Sequence, residues 1–485
     1  MKKVIASVLS VAMVAAFATA CNGGGETQAS GSATGDTQAT QGSDGSETEA
    51  TTTAKQVKTY GTGSEKINLW SFTAEIPNMV NYYVKQNPDF ASKYTVECTI
   101  IATNGGAYQT ALDQALSAGG DTAPDMYAAE AAFIIKYSQG DMAKYAATYK
   151  ELGIDVDAKI KDAQIAGYTI EAGSRDGEVV ALGYQATGSA MIYRADLAKD
   201  VFGTDDPAKI EEIFGANSGS WDKFWAAAAK LKEKNISVVS GSGDMWNVNE
   251  KAAQTGWIVN NQLNIDPKRA EFLDIAKKLK DDGLSNDASG WSEAWFADMA
   301  GTGAKPVFCF FGPAWLINYT MNEHCGGAKL GEGTFGQWRV CTPPVGFFWG
   351  GTWVLGRKDS AKKEGVAKLI EWITLDTSET GLQYLWANGL VDWDEDPATA
   401  VAKDTVASAA VMSKSDGKVD FCGGQDIFPT FIKGNQFASA KAMTQYDEGI
   451  NGYFTDAATQ YAEGNLDKDA AIDAFKTKVN DNLSF

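Results

Sequence analysis

The sequence predicts an α/β fold in which helices flank a mostly parallel sheet, extended over more than one domain. Three observations carry this expectation. Short apolar runs alternate with amphipathic helical patterns from Ile67 onward. The length of 485 residues corresponds to two or three domains of ordinary size. Apolar residues make up 44 % of the chain against 21 % charged, enough to fill large cores.

Ile67–Phe72 (INLWSF) reads as a strand, and Ile76–Gln86 as a helix stopped at Asn87-Pro88. Tyr94–Ile101 is the next strand. After Asn104-Gly105-Gly106 a helix spans Ala107–Ala118, with Ala111, Leu112, Ala115 and Leu116 as its apolar stripe. Pro124–Tyr127 ends a third strand and leads into a helical run carrying Phe133 and Ile134. In such sheets ligands sit outside the carboxyl ends of the strands, so residues 71–75, 104–107 and 128–130 share one rim. Val179–Arg194 is a long apolar stretch containing Gly183 and Gly188. Ser220 caps a helix over Trp221–Lys232, and helices follow at Asp266–Lys280 and Trp291–Met299. Pro306–Phe311 is a strand, and the helix after Pro313 carries Trp315, Leu316 and Tyr319. Strand-like Phe335–Cys341 leads through Pro343-Pro344 to Trp353–Leu355. The amphipathic helix Lys362–Ile373 opens a mostly helical remainder.

Charge narrows the function. The chain has 42 Lys+Arg against 62 Asp+Glu, a formal charge of −20. That disfavours nucleic acid and anionic membranes, whose affinity comes from basic residues neutralising phosphates. A single histidine, His324, excludes multi-histidine metal sites, and a Ser-His-Asp arrangement would have to use it. No phosphate loop, GxSxG or HExxH is present, and neither a metal nor another cofactor is expected.

The first twenty residues read as an export signal. Met1-Lys2-Lys3 is positive, Val4–Ala18 is apolar or small, and the run is short for a membrane span. Ala18-Thr19-Ala20 directly before Cys21 resembles the lipobox of bacterial lipoproteins, although Ala18 replaces the usual Leu. The resemblance implies cleavage before Cys21 and acylation of its thiol; simple cleavage near Ala20 is the alternative. From residue 22 to about 58 no large apolar side chain precedes Val57, so the segment is expected to be a disordered tether. Its coil dimension would be roughly 30–35 Å. Of the other cysteines, Cys98 and Cys309 lie in apolar runs and read as core. Cys325 and Cys341 could equally be free or paired.

The order of motifs over about residues 64–485 resembles the extracellular solute-binding proteins of carbohydrate ABC transporters, the group that includes the maltose-binding proteins. The segments that carry it are INLWSF, APDMYAAE, GEVVALGYQATGSAMIYRADL, SWDKFWAAAAKL, PVFCFFGPAW and GGTWVLG…AKLIEWIT…GLQYLWANG. The resemblance implies a two-lobed periplasmic-binding-protein fold of the second type, with three chain crossings and a ligand in the interlobe cleft. The crossings are expected near Ala181–Gln185, Gly336–Pro343 and Gln383–Gly389. One lobe would comprise 61–180 and 336–385, the other 181–335 and 386–485, after a signal at 1–20 and a lipidated tether at 21–60. It also implies a monomer that captures a neutral oligosaccharide by closing and docks on membrane permease subunits; a binding protein of the same fold for a peptide or other non-sugar solute is the alternative.

Sugars present apolar C–H faces and a ring of hydroxyls, so their sites combine aromatic platforms with Asp, Glu, Asn and Gln. Trp246 lies in SGSGDMWNVN, read as a loop, and Trp349 lies beside Gly350 and Gly351. Trp315 follows FFGP where the resembling pattern has GPW for a stacking tryptophan, but Ala314 intervenes. Trp70 is near the end of the first strand; it and Trp315 fit core or ligand equally. Trp221, Trp225 and Trp372 sit on amphipathic helices and read as packing. Polar candidates on the rim are Glu75 and Glu130, with Gln185 at a crossing, Asp244 before Trp246, and Gln425 and Asp426 after Gly423-Gly424. Glu75 with Glu130 could also serve as a glycosidase pair, the enzymatic alternative to a binding protein.

Overall fold

The computed structural model describes residues 55–391 and 403–485; the signal, Cys21 and most of the tether lie outside them. Nine strands build two sheets. They are β1 (Gln56–Gly61), β2 (Glu65–Ser71), β3 (Tyr94–Ile100), β4 (Met126–Glu130), β5 (Ala181–Gly183), β6 (Ala190–Arg194), β7 (Cys309–Gly312), β8 (Trp338–Cys341) and β9 (Thr352–Gly356). The first sheet has the order β1-β3-β2-β4-β9-β5. β2 runs parallel to β3 and β4, whereas β1 and β9 are antiparallel to their neighbours. Residues 67–71 of β2 are buried on both faces, which is why that strand reads as a continuous apolar run.

The second sheet has the order β7-β6-β8, both neighbours antiparallel to β6. Parallel bridges Ser237–Val307 and Val239–Ser285 widen it. Two core clusters form, the first covering the first sheet and, through Ile192, Phe310 and Trp338, one face of the second, and the other covering the opposite face of the second sheet. One gathers Leu69, Val96, Tyr127 and Val354; the other gathers Ile236, Phe272, Phe308, Phe454 and Phe475. Trp221 and Trp372 lie in these cores, and Trp225 packs against the second. The helix Asp447–Ala462 packs in the second core through Ile450 and Phe454.

Three expectations about the chain's course are corrected. Residues 56–61 are not tether but the edge strand β1, paired residue by residue with β3. None of its side chains is buried, so backbone pairing holds it, and a hydrophobicity argument could not find it. β8 belongs to the second sheet, paired with β6, so the chain returns to the first sheet over residues 342–351 and not from Gly336. Gln383–Gly389 is mostly helix Leu382–Ala387, with Leu382, Leu385 and Trp386 in the first core. The first passage between sheets spans residues 184–189, next to the expected place. The five cysteines among the described residues are all buried free thiols, Cys325 and Cys341 included.

Asp125 ties the first sheet together. It is buried, accepts the Asn68 backbone N–H at 2.9 Å and the Ser360 hydroxyl at 2.7 Å, and faces Arg357 at 3.5 Å. Removing it leaves the partly buried Arg357 guanidinium without its counter-charge and the Asn68 strand N–H without an acceptor. Asp125→Ala is expected to lower the unfolding free energy by about 3 kcal/mol, measured by urea denaturation.

Candidate ligand-binding cleft

Several segments meet between the sheets. β4 ends at Glu130, opposite Thr352 of β9. Immediately before β9, Gly350 and Gly351 take φ of 70° and 114°, the left-handed region that favours glycine. A Cβ on Gly350 would lie 3.6 Å from the Trp315 ring and 3.7 Å from Glu130 Oε1. One on Gly351 would meet Trp353 at 3.3 Å and Thr187 at 3.4 Å. The Thr187 hydroxyl donates to the Gly350 carbonyl at 2.8 Å, and the Trp349 N–H to the Thr187 carbonyl at 3.2 Å. Indole, carboxylate and bare backbone therefore share one floor.

Three tryptophans surround it. Trp315 donates its Nε1–H to the Trp349 carbonyl at 3.3 Å, and their ring centroids are 4.9 Å apart. Trp291 lies parallel to Trp315 within 10° at 6.3 Å and edge-on to Trp349 at 6.2 Å. Trp349 packs against both clusters and lies on the passage from the second sheet back to the first. Trp291 holds φ at 66°, a conformation that costs a bulky residue about 1–3 kcal/mol and that clusters at functional sites. Behind it, Trp295 is 5.4 Å away and donates Nε1–H to Asp244 at 3.1 Å.

Asp244 is a support and not a ligand group. Its other oxygen accepts the backbone N–H of Ser240 and Gly241, both at 3.1 Å, at the start of helix Ser242–Lys251. Burial pushes its carboxyl up to about 6 despite these donors. Glu130 is half-buried and accepts the Ala132 N–H at 2.6 Å. Burial pushes it up to about 7, opposed by Lys251. Lys251 itself is paired with Glu250 at 2.6 Å and lies 5.3 Å over the Phe348 ring.

A second polar group forms at the first passage between sheets. The Gln185 amide donates to Asp404 at 2.9 Å, and Thr405 N–H donates to the same carboxylate at 2.6 Å. The Tyr184 hydroxyl hydrogen-bonds Glu75. Burial raises both carboxyls, Asp404 to about 7, with the Glu75 charge adding to the effect. Asn318 bonds Asp404 as well, from the π-helical segment Leu316–Met321 that follows Trp315, so this group adjoins the tryptophans.

Of the sequence candidates, the structure brings together Glu130, Trp315, Trp349, Gly350 and Gly351, with Glu75 and Gln185 in the adjoining group. It sets the others apart. Trp70 is a first-core residue whose carbonyl accepts the Tyr108 hydroxyl at 3.2 Å. Trp246 is 2 % exposed, packed against Phe272 and Phe454 in the second core. The stretch read as a loop is a helix whose N-terminus Asp244 satisfies, and Met245, Trp246, Val248 and Asn249 are buried on it. Gln425 clamps Val340 through both backbone groups at 2.9 and 2.8 Å, sealing the edge of β8. Asp426 is exposed and accepts the Phe428 N–H at 3.1 Å, capping the next helix. Sequence reasoning missed Trp291, Tyr184, Lys251, Asn318 and Asp404. Only Trp291 left a trace, a tryptophan among small residues in Ser289-Gly290-Trp291-Ser292.

Glu130 and Asp404 make stability depend on pH with a definite sign. A carboxyl whose pKa is raised on folding stabilises the fold below its unfolded value, and that contribution is lost as pH rises through its folded value near 7. Unfolding free energy is expected to fall between pH 5 and pH 8. Glu130→Gln and Asp404→Asn should each flatten that fall by about 1–3 kcal/mol, measured by denaturation across the range.

Comparison with known proteins agrees with this architecture. No curated protein matches the chain by sequence. The family model described as bacterial extracellular solute-binding protein matches residues 70–380. Among solved structures, a family 1 extracellular solute-binding protein aligns with a TM-score of 0.68 at 17 % identity, over 86 % of this chain and 99 % of its own. An ABC-transporter binding protein from B. animalis subsp. lactis, in complex with β-1,6-galactobiose, aligns with a TM-score of 0.54 at 19 % identity, over 86 % and 97 %. The galacto-N-biose/lacto-N-biose I-binding protein of Bifidobacterium longum aligns at 0.59 with 15 % identity, over 86 % and 97 %. At these identities the structures speak for the two-lobed fold, and the family match covers well over half of the sequence: the chain belongs to the bacterial extracellular solute-binding proteins.

Proposed function

We propose that this chain is the substrate-binding lipoprotein of an ABC importer. In this reading it is anchored through Cys21 on the outer face of the cytoplasmic membrane and captures oligosaccharides of neutral pyranose units as a monomer. The observation that carries it is the arrangement of Trp291, Trp315 and Trp349 around the side-chain-free floor at Gly350, with Glu130 at its edge. Flat rings meet the C–H faces of pyranoses, and a carboxylate takes their hydroxyls. The sugar complexes of the two bifidobacterial neighbours support the same ligand class.

Capture works by differential contact. A sugar bridging Glu130 on the first sheet and Trp315, which follows β7 of the second sheet, stabilises the closed arrangement over the open one. The passages at residues 184–189 and 342–351 would bend, with the Glu75–Tyr184 and Gln185–Asp404 bonds beside the first of them. The closed form then delivers its cargo to the permease, whose ATPase is a separate chain.

A thermal-shift screen of the signal-free protein against oligosaccharides tests this. At 100 times its dissociation constant a ligand stabilises the fold by about 2.7 kcal/mol. Trp315→Ala and Trp349→Ala are each expected to weaken binding by about tenfold. Absence of any sugar-dependent shift in a folded sample overturns the reading. Release of shorter products would establish a glycoside hydrolase instead.

A further inference from the structure

The strand that opens the first sheet runs against the strand beside it and buries no side chain. β1 pairs with β3 from Gln56 opposite Ile100 to Gly61 opposite Thr95. From the other side β2 pairs with β3 in parallel, from Glu65 opposite Tyr94 to Ser71 opposite Ile100. Gln56 therefore lies level with the carboxyl ends of β2 and β3. That is the end of the sheet at which β4, parallel to β2, delivers Glu130 to the cleft. Three strand spacings separate β1 from β4, about 14 Å. Entry directly into β2 would instead bring the chain to Glu65, at the opposite end and about 23 Å away along the strand.

Specific residues hold this reversal in place. Residues 62–64 carry the chain across the start of β3. Gly61 holds φ at 86°, and a Cβ there would lie 2.3 Å from the Tyr94 carbonyl oxygen. One on Gly63 would lie 1.9 Å from the Lys93 carbonyl carbon, so only glycine fits so close to that backbone. The Thr62 N–H donates to the Ala91 carbonyl at 2.9 Å, and the Thr95 hydroxyl to the Gly63 carbonyl at 2.7 Å. At the other end of β1 the Lys55 ammonium lies 5.2 Å from the centre of the Trp70 ring, beside the end of β2. A cation over an indole face is an attraction that fixes where the chain leaves the sheet. Lys55 is the first Lys or Arg after Lys3, so no residue of the intervening segment can replace it there.

We infer that β1 is an anchor-return strand. It carries the point of membrane attachment from the far end of the first sheet to the cleft end, so that the anchored protein presents the mouth of its cleft to the lipid surface and to the permease within it. The inference rests on acylation of Cys21 and adds a direction to it. With a formal charge of −20 the chain has no general attraction to anionic lipid, so the attachment point decides which face is presented. The folded body stays outside the bilayer, and the point at which the tether leaves it stands nearest the surface. For a tether of coil dimension roughly 30–35 Å, an exit at Glu65 would take up about two thirds of that reach in passing alongside the sheet. Exit at Lys55 leaves the whole of it for bringing the cleft to the permease, which raises the effective concentration of one at the other.

The full lipidated chain in phosphatidylcholine vesicles tests this. The cysteines among the described residues are buried and Cys21 is blocked by its lipid, so a cysteine introduced at an exposed site takes a dye. Ala102→Cys lies just beyond the cleft end of β3 and Ser92→Cys just before its other end, both exposed. The two sites are roughly 25 Å apart along the sheet. Energy transfer to an acceptor lipid is expected to be at least about 1.5-fold higher from the dye at Ala102→Cys, the site held nearer the surface. Deletion of residues 56–64, which joins Lys55 to Glu65, should reverse that order. Where the deleted chain does not fold, Gly63→Val, which blocks the crossing over β3, should equalise the two. Equal transfer from both sites, or more from Ser92→Cys, in the undeleted chain overturns this inference and leaves the lipid anchor standing. An order that persists in the folded variants also overturns it. Recovery of the chain free of the vesicles removes the acylation reading and this inference together, and leaves saccharide capture untouched.

Discussion

The turn at Gly350-Gly351 is a constraint on both the scaffold and the cleft. It brings the chain from the second sheet back into the first, where β9 pairs with β4 on one side and β5 on the other. Its positive φ angles admit glycine and penalise other residues. A side chain on either residue would press on Trp315 or Glu130, or on Thr187 or Trp353, which lie after β7, at the end of β4, on the first passage and on β9. The surface that would hold a ligand and the segment that would bend are thus one piece of chain. A change in lobe angle is felt at the floor of the cleft without any intermediary.

Around this turn lies a set of carboxyl groups that would be costly in an ordinary core. Glu75, Glu130 and Asp404 are all raised by burial, and their hydrogen bonds, with the Lys251 charge near Glu130, offset only part of the cost. By contrast Asp125, also buried, has a guanidinium beside it and two hydrogen-bond donors. Local rules of burial are broken where function requires it.

Much of the architecture was legible because it rests on periodicity. β2, β3 and the helix Glu75–Gln86 are written in apolar spacing that tertiary context does not override. Strand β1 was not, because its pairing uses backbone groups that every residue has. In the cleft, the Gly-Gly step and the carboxylate after β4 were visible as local patterns. Trp246 misled because a Gly-Ser-rich stretch looks like a loop until one sees Asp244 capping a helix within it. Tyr184, Asn318 and Asp404 were invisible for a different reason. Nothing in their neighbourhoods along the chain distinguishes them from solvated residues, and only the meeting of distant segments gives them a task.

The tryptophan arrangement has an optical consequence. The chain holds 14 tryptophans, and Trp221, Trp246, Trp257 and Trp338 are fixed in the cores at almost no exposure. Trp291, Trp315 and Trp349 have ring centroids 4.9 to 6.3 Å apart, close enough for an excitation absorbed by one to pass to the others before it is emitted. The emission of this trio therefore depends on the solvent and spacing of the cleft, against a constant background from the cores. The molecule contains its own fluorophore for reporting whether the two lobes are apart or together.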